Sequence, residues 1–225
     1  MNEHLRFLSD LRIERTVQAL RSNGMDAHRV ENREELIKKI KEYVPEGSTV
    51  GSGGSVTLSE TGVVSLLRSG AYTYFDRFAG IVSDAKLVAS KAELYTEENR
   101  DISRKALTCD VYFTSSNAIT ENGELFNVDG TGNRVAALTF GPKKVIVVAG
   151  ENKIVKDIEA ARRRVKEIAC PANARRLSVA VPCAANGLCN ECRSPHHCCC
   201  HEVVTQKQIC TDRITVLILP ESYGL

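Results

Sequence analysis

Apolar positions recur along the chain with two periods, and the two alternate. Between residues 2 and 22, Leu5, Leu8, Leu11, Val17 and Leu20 fall at helical spacing, and Gly24 follows as a stop signal. Residues 26–30 read as a short strand. Asn32 is placed to cap the next helix, with Glu35 three residues on as in a capping box, ahead of Leu36, Ile37 and Ile40. The charged residues of both helices read as solvated faces. A strand ending at Gly51 leads through a glycine- and hydroxyl-rich loop into a helix expected to reach about Arg68. Residues 71–75 and 109–114 read as strands, 85–88 are ambiguous, and 92–107 form a charge-rich helix. Asn122-Gly123 predicts a hairpin turn between arms at 118–120 and 124–128. Residues 144–149 (KVIVVA) are a continuous apolar run, the pattern of a strand covered on both faces. Residues 151–169 read as an amphipathic helix broken by Pro171, with Arg162, Arg163 and Arg164 pointing different ways on a solvated surface. Strands near 202–205 and 214–219 close the chain. Strands alternating with helices predict an α/β sandwich with a largely parallel sheet.

Two polar stretches interrupt this pattern. The first contains Gly51, Gly53, Gly54, Ser55 and Thr57 between a strand and a helix. Free N–H groups and the dipole at such a junction suit an anion. The spacing is neither a Walker loop nor GxGxxG, and no Lys follows. A tight turn with hydroxyl caps is the plainer reading of the same residues. Glu60, one turn into the helix, either faces that pocket or partners the dipole. The second stretch runs from Asn117 through Thr120, Glu121, Asp129, Gly130 and Asn133 to Arg134. It is dense in polar groups for a plain connection, and loops at strand ends are where α/β proteins place binding chemistry. Arg134 is a candidate clamp for a phosphate or carboxylate, and the alternative is a surface ion pair.

The cysteines change the picture most. Of nine, six lie between Cys183 and Cys200. Four thiolates close a tetrahedral zinc site or hold an iron–sulfur cluster. The Cys189-x2-Cys192 pair brings two sulfurs from one turn to one centre, and Cys183 with one of Cys198, Cys199 and Cys200 completes a set. The spacing alone selects neither metal. Redox-active thiols or disulfides are the alternatives. The charged opening MNEHLRFLSD lacks an apolar signal region, so the expectation is a cytoplasmic protein with reduced thiols. Cys109, Cys170 and Cys210 are expected to pack in the interior.

Length and composition narrow the classes. The 225 residues suit one domain with the cysteine-rich segment 183–200 as an appendage, and 43% hydrophobic with 26% charged residues is ordinary for a globular protein. A formal net charge of +2 gives no electrostatic reason to expect nucleic acid, and the absence of Trp removes a common stacking platform. No apolar run approaches a membrane span.

Three stretches together resemble the LUD-domain family, also called DUF162, which includes lactate-utilisation proteins: GSGGSVTLSETG (51–62), NAITENGELFNVDGTGNRVAALTFGPKKVIVV (117–148) and C-x5-C-x2-CRSP-x3-C (183–199). The resemblance spans nearly the whole chain. It implies a three-layer α/β/α Rossmann-like fold of the sugar-phosphate isomerase and CoA-transferase kind over residues 1–225. It also implies that the two polar stretches wall one pocket for a small anionic metabolite or nucleotide. The motif selects Cys183, Cys189, Cys192 and Cys199 as ligands; Cys198 and Cys200 depart from it and keep the fourth position open. Larger relatives carry iron–sulfur clusters in lactate oxidation, implying electron transfer with redox partner proteins. Superfamily enzymes use a carboxylate as nucleophile or base, which makes Glu60, Glu121 and Asp129 catalytic candidates. The competing expectations are an enzyme on a small phosphorylated or CoA-linked substrate with structural zinc, and a non-catalytic ligand-binding subunit of an oligomer.

Overall fold

The structure, a computed structural model, describes residues 3–79, 82–83, 86–87 and 96–225. In chain order the elements are α1 (Glu3–Ser22), β1 (Asp26–Arg29), α2 (Arg33–Tyr43), β2 (Thr49–Ser52), α3 (Val56–Glu60), α4 (Val63–Leu67), β3 (Thr73–Phe75), β4 (Val82–Ser83) and β5 (Lys86–Leu87). They continue with α5 (Glu97–Ala106), β6 (Val111–Thr114), β7 (Ala118–Thr120), β8 (Leu125–Asp129), α6 (Asn133–Thr139), β9 (Lys144–Gly150), a 3-10 turn (Glu151–Lys153) and β10 (Ile154–Val155). The last are α7 (Ile158–Arg164), a π turn (Val165–Ala169), α8 (Cys170–Arg176), α9 (Pro182–Asn186), β11 (His201–Thr205) and β12 (Ile214–Leu219).

Six strands form one sheet in the order β1-β12-β9-β6-β2-β3, and every neighbouring pair is parallel. Successive strand side chains point to opposite faces, so the apolar runs supply two cores at once. Val145 and Val147 of β9 with Ile214 and Val216 of β12 pack against Ile13, Val17 and Leu20 of α1. Ile146 and Val148, with Leu217 and Leu219, pack against Leu36 and Ile40 of α2 and Leu58 of α3. The result is the expected three-layer α/β/α arrangement around a mostly parallel sheet. A second sheet, β10-β7-β8-β11, carries the predicted hairpin, with Ala118 opposite Phe126 and Ile119 opposite Leu125.

Several local expectations change. The helix expected to reach Arg68 is two short helices, because Gly62 at φ 80° turns the chain between α3 and α4. The run 151–169 is not one helix: a 3-10 turn and β10 come first, and Asp157 caps α7 by accepting from Ala160 N at 2.8 Å. Pro171 does not break the helix. It sits in the first turn of α8, directly after the π turn, in which Cys170 N–H bonds Val165 O, five residues back. That wider turn relieves the clash of a proline ring with the carbonyl four residues back. Arg162 and Arg163 are exposed, but Arg164 is buried. Cys109 is buried as expected, whereas Cys210 is exposed and Cys170 half-buried. Leu5, Leu8 and Leu11 of α1 are exposed, and its buried face is Ile13, Thr16, Val17 and Leu20. α5 falls within the expected helix 92–107, of which 92–95 lie outside the described residues; of the ambiguous stretch 85–88, residues 86–87 form β5 and residues 85 and 88 lie outside the described residues.

Candidate functional site

A cavity of about 170 Å³ opens beyond the C-terminal ends of β2, β6 and β9. Its walls include Gly53, Gly54, Ser55 and Thr57 after β2, Ser115, Ser116 and Asn117 after β6, and Lys153 after β9. Asp129, Gly130, Asn133 and Arg134 close another side. The two polar stretches are therefore brought to one place, at the strand ends where parallel sheets leave backbone groups free.

Local chemistry explains the wall. Gly53 N–H donates to Phe113 O at 3.2 Å, and a Cβ on Gly54 would meet the Phe78 ring at 2.8 Å. Ser55 caps α3 by accepting from Leu58 N at 3.2 Å, and Thr57 is buried with its hydroxyl donating to Tyr223 O at 3.3 Å. With five residues, α3 is too short for a strong dipole, so the loop's hydroxyls serve as caps and packing. Arg134 is fully engaged by protein acceptors. Its Nε donates to Asp129 Oδ2 at 3.0 Å, Nη1 to Asn127 Oδ1 at 2.9 Å, and Nη2 to Asn117 Oδ1 at 3.0 Å and to Val128 O. Asp129 also accepts from Thr131 N and Gly132 N, at 3.2 and 3.1 Å. The pair braces the wall, with its hydrogen-bonding capacity spent inward.

Four expected residues stand outside the cavity lining. Gly51 is packed beneath α5, where a Cβ would stand 2.7 Å from Ala106 Cβ. Thr120 is fully buried and donates to Glu124 Oε2 at 2.8 Å. Glu121 is on the hairpin, paired with Arg12 at 2.7 Å and Arg15 at 3.6 Å. Glu60 accepts from Gly224 N at 2.7 Å and reaches the cavity only through its field on Lys153.

The structure adds cations that periodicity did not single out. Lys153 is 5% exposed and lines the cavity, and burial with the Arg164 and Arg134 charges brings its pKa down to about 7. Arg164, buried, donates to Asn152 O at 3.0 Å and Asn117 O at 2.7 Å, fixing the loops on both sides. Arg176, half-buried, holds Asn173 Oδ1 at 2.8 Å. Arg77 stacks 4.5 Å from the Phe78 ring centroid, and its buried Nε has no partner among the described residues. Arg77, Lys153 and Arg176 line the cavity, and among the described residues no carboxylate lies within ion-pair distance of any of them. The signal in the sequence is a Lys three residues past the end of β9, after the apolar run Val145–Ala149.

A second cavity of about 290 Å³ is lined by Cys170, Cys183, Cys189, Cys192, Cys198 and Cys199. Cys170 thus joins the cluster. Its thiol is hydrogen-bonded to that of Cys198, which together with burial pushes its pKa up. Cys183, Cys192 and Cys198 pack against Ala174, Val179 and Val181. Six thiols around one cavity are a donor set suited to a soft metal or an iron–sulfur cluster. Among the described residues, no three His, Cys, Asp or Glu side chains converge closely enough to hold a metal ion. The stretch between α9 and β11, which carries Cys189, Cys192, Cys198, Cys199 and Cys200, has no regular structure. Cys198 lines both cavities.

A parallel-sheet α/β/α protein with a cation-lined pocket at its strand ends is the class that this geometry defines. The LUD domain matches residues 13–219, and the chain belongs to that family. Among solved structures, the chain is similar to a DUF162 family protein from Deinococcus radiodurans, at 11% identity over 94% of this chain and 98% of that chain, with a TM-score of 0.47. It is also similar to eIF2B delta from Chaetomium thermophilum, at 18% identity over 66% of this chain and 53% of that chain, with a TM-score of 0.35. No curated protein matches it. Among the described residues, no helix is long and apolar enough to cross a membrane.

Proposed function

We propose that the chain acts as one domain in organic-acid metabolism of the lactate type, as an electron-transfer accessory to redox partner proteins. The observation that carries this reading is Cys198, which lines the cation-lined pocket and the cysteine cavity together. A centre held by Cys183, Cys189, Cys192 and Cys199 would lie against the wall of the pocket, with Cys198 and Cys170 beside it. When bound, an iron–sulfur cluster supplies one-electron redox chemistry. The chain's own part is to bind and orient a small acid: Arg176 and Arg77 face the pocket without carboxylate partners among the described residues, and a planar guanidinium suits a carboxylate. Since a cavity of roughly 150 Å³ admits benzene, one of about 170 Å³ suits a short organic acid better than a whole nucleotide.

The test is metal and acid-labile sulfide content, with a visible spectrum, on protein purified without oxygen, beside a Cys189→Ser/Cys192→Ser variant. Iron and sulfide that disappear in the variant are the expected result. Stoichiometric zinc without sulfide would overturn electron transfer and favour an enzyme with a structural staple. Thermal shift with lactate, pyruvate and phosphate tests the pocket. Stabilisation follows ligand concentration over Kd, and Arg176→Gln is expected to weaken binding at least about tenfold, the loss typical of a charge-assisted hydrogen bond.

A further inference from the structure

We infer that Lys153 is a nucleophilic amine that forms an imine with the carbonyl of a short 2-oxo acid held in this pocket. The inference rests on the anion-binding part of the proposed function and is independent of the metal.

Four observations converge on Lys153. Its side chain is buried, yet it lines the cavity, so its amine meets the pocket and not bulk water. It makes no hydrogen bond or ion pair with a described residue, whereas Arg134 and Arg164 beside it are spent on protein acceptors. Its backbone is fixed. The 3-10 turn Glu151–Lys153 follows the central strand β9, Glu151 N–H donates to Glu221 O at 3.0 Å, and Asn152 Oδ1 accepts from Tyr223 N at 3.1 Å. Gly150 lets those segments approach, since a Cβ there would stand 2.4 Å from Glu221 O. Fourth, burial and two flanking guanidinium groups disfavour the ammonium, leaving a substantial share of free amine near neutral pH, pKa about 7.

An ammonium that serves only to bind an anion is ordinarily exposed or salt-bridged. A buried lysine held beside other cations is instead the arrangement that activates an amine as a nucleophile. The guanidinium groups of Arg176 and Arg77 supply the charge complement for a carboxylate, which frees Lys153 for the adjacent carbonyl carbon. In the step itself the amine lone pair forms the N–C bond, the C=O π pair moves onto oxygen, and that oxygen takes the proton the nitrogen sheds, giving a neutral carbinolamine. A proton from solvent water then lets the C–O bond break with loss of one water, the nitrogen lone pair forming the second C–N bond of a protonated imine. No electrons are exchanged, and no co-reactant is needed.

The test incubates the full-length protein with pyruvate or glyoxylate and traps with borohydride, which reduces the imine to a stable secondary amine. Peptide mass mapping locates the adduct, and thermal shift with the same acids and with phosphate is read in parallel. The expected result is a saturable single adduct at Lys153, absent in Lys153→Met and Lys153→Arg, with Lys153→Arg still shifted by phosphate. Thermal shifts without an adduct at Lys153 would overturn the imine and leave the anion pocket standing. Absence of both shift and adduct would overturn the two together. Adducts spread over surface lysines in proportion to exposure would overturn the inference as well.

Discussion

Arg134 Nε lies 3.0 Å from Asp129 Oδ2, and the pair spans the turn between β8 and α6. The side chains are only 17% and 10% exposed, and the guanidinium also holds Asn127, Asn117 and Val128 O. A lysine has a single charged nitrogen and cannot reproduce a planar fork with five donors. Arg134→Lys keeps the charge beside Asp129 but strands the acceptors on Asn117, Asn127 and Val128, and is therefore expected to lower stability by about 1–3 kcal/mol, the cost of buried acceptors left unpaired. Urea unfolding measures it, and a midpoint equal to wild type would mean that the network is dispensable.

Gly123 makes a sharper steric case. It sits in the left-handed region at φ 79°, and a Cβ there would lie 2.5 Å from Ala19 C and 2.6 Å from Leu20 N, both backbone. Asn23 Nδ2 clasps the same turn through Asn122 O and Gly123 O at 2.8 and 2.9 Å. Neither side can yield, because one is the last turn of α1 and the other a hairpin tip. Gly123→Ala is expected to lower stability by about 2–4 kcal/mol, combining left-handed strain with overpacking. A loss below the error of the unfolding measurement would mean that the hairpin tip is free to move off α1.

How far the sequence reaches depends on the physical origin of each feature. The strands of the central sheet were legible because β9 and β12 are apolar on both faces, and the hairpin because Asn122-Gly123 has little other use. The pocket wall was legible where glycines and Asx residues crowd, at Gly53, Gly54, Asn117 and Asp129. What local pattern does not contain was missed. Arg164 looks like the third of three surface arginines until its partners, Asn117 O and Asn152 O, are placed by tertiary contacts. Pro171 reads as a stop because a π turn has no sequence mark of its own. Gly51 reads as part of the ligand loop, although its lack of a side chain serves the packing of Ala106. Lys153 was overlooked because one lysine after a strand is ordinary until its burial is known.

The thiols divide by environment in a way that labelling reads directly. Cys109 is 1% exposed, its thiol donates to Ala106 O at 3.0 Å, and burial pushes its pKa up to about 12. Alkylation needs the thiolate and an open path, and Cys109 has neither. Cys189, Cys199, Cys200 and Cys210 are exposed. Brief iodoacetamide treatment of reduced, metal-free protein near pH 8 is expected to modify Cys210 and leave Cys109 untouched until denaturant is added. Modification of Cys109 at a rate comparable with Cys210 would mean that the α5–β6 corner opens in the native state.

Lys153 gives stability a specific pH dependence. Its folded pKa, about 7, lies below the ordinary lysine value of 10.5, chiefly through burial and then through Arg164 and Arg134, with Glu60 acting weakly the other way. Below pH 7 the amine is protonated whether the chain is folded or not, and the full penalty of a buried charge is present. Between 7 and 10.5 the unfolded chain holds a proton that the folded chain lacks, so stability rises with pH across that window. Above 10.5 both states are neutral and the penalty is gone. At 1.36 kcal/mol per pKa unit, the penalty is on the order of 5 kcal/mol. Lys153→Met keeps an unbranched apolar stem and removes the charge. It is expected to melt on the order of 10 °C above wild type at pH 6, since each kcal/mol shifts Tm by about 2–4 °C at this size. The gap should narrow steadily above pH 7 and close near 10.5. Paired thermal scans of wild type and variant separate the effect of Lys153 from that of every other titrating group. A gap independent of pH would mean that the amine is not buried as a charge in the folded protein.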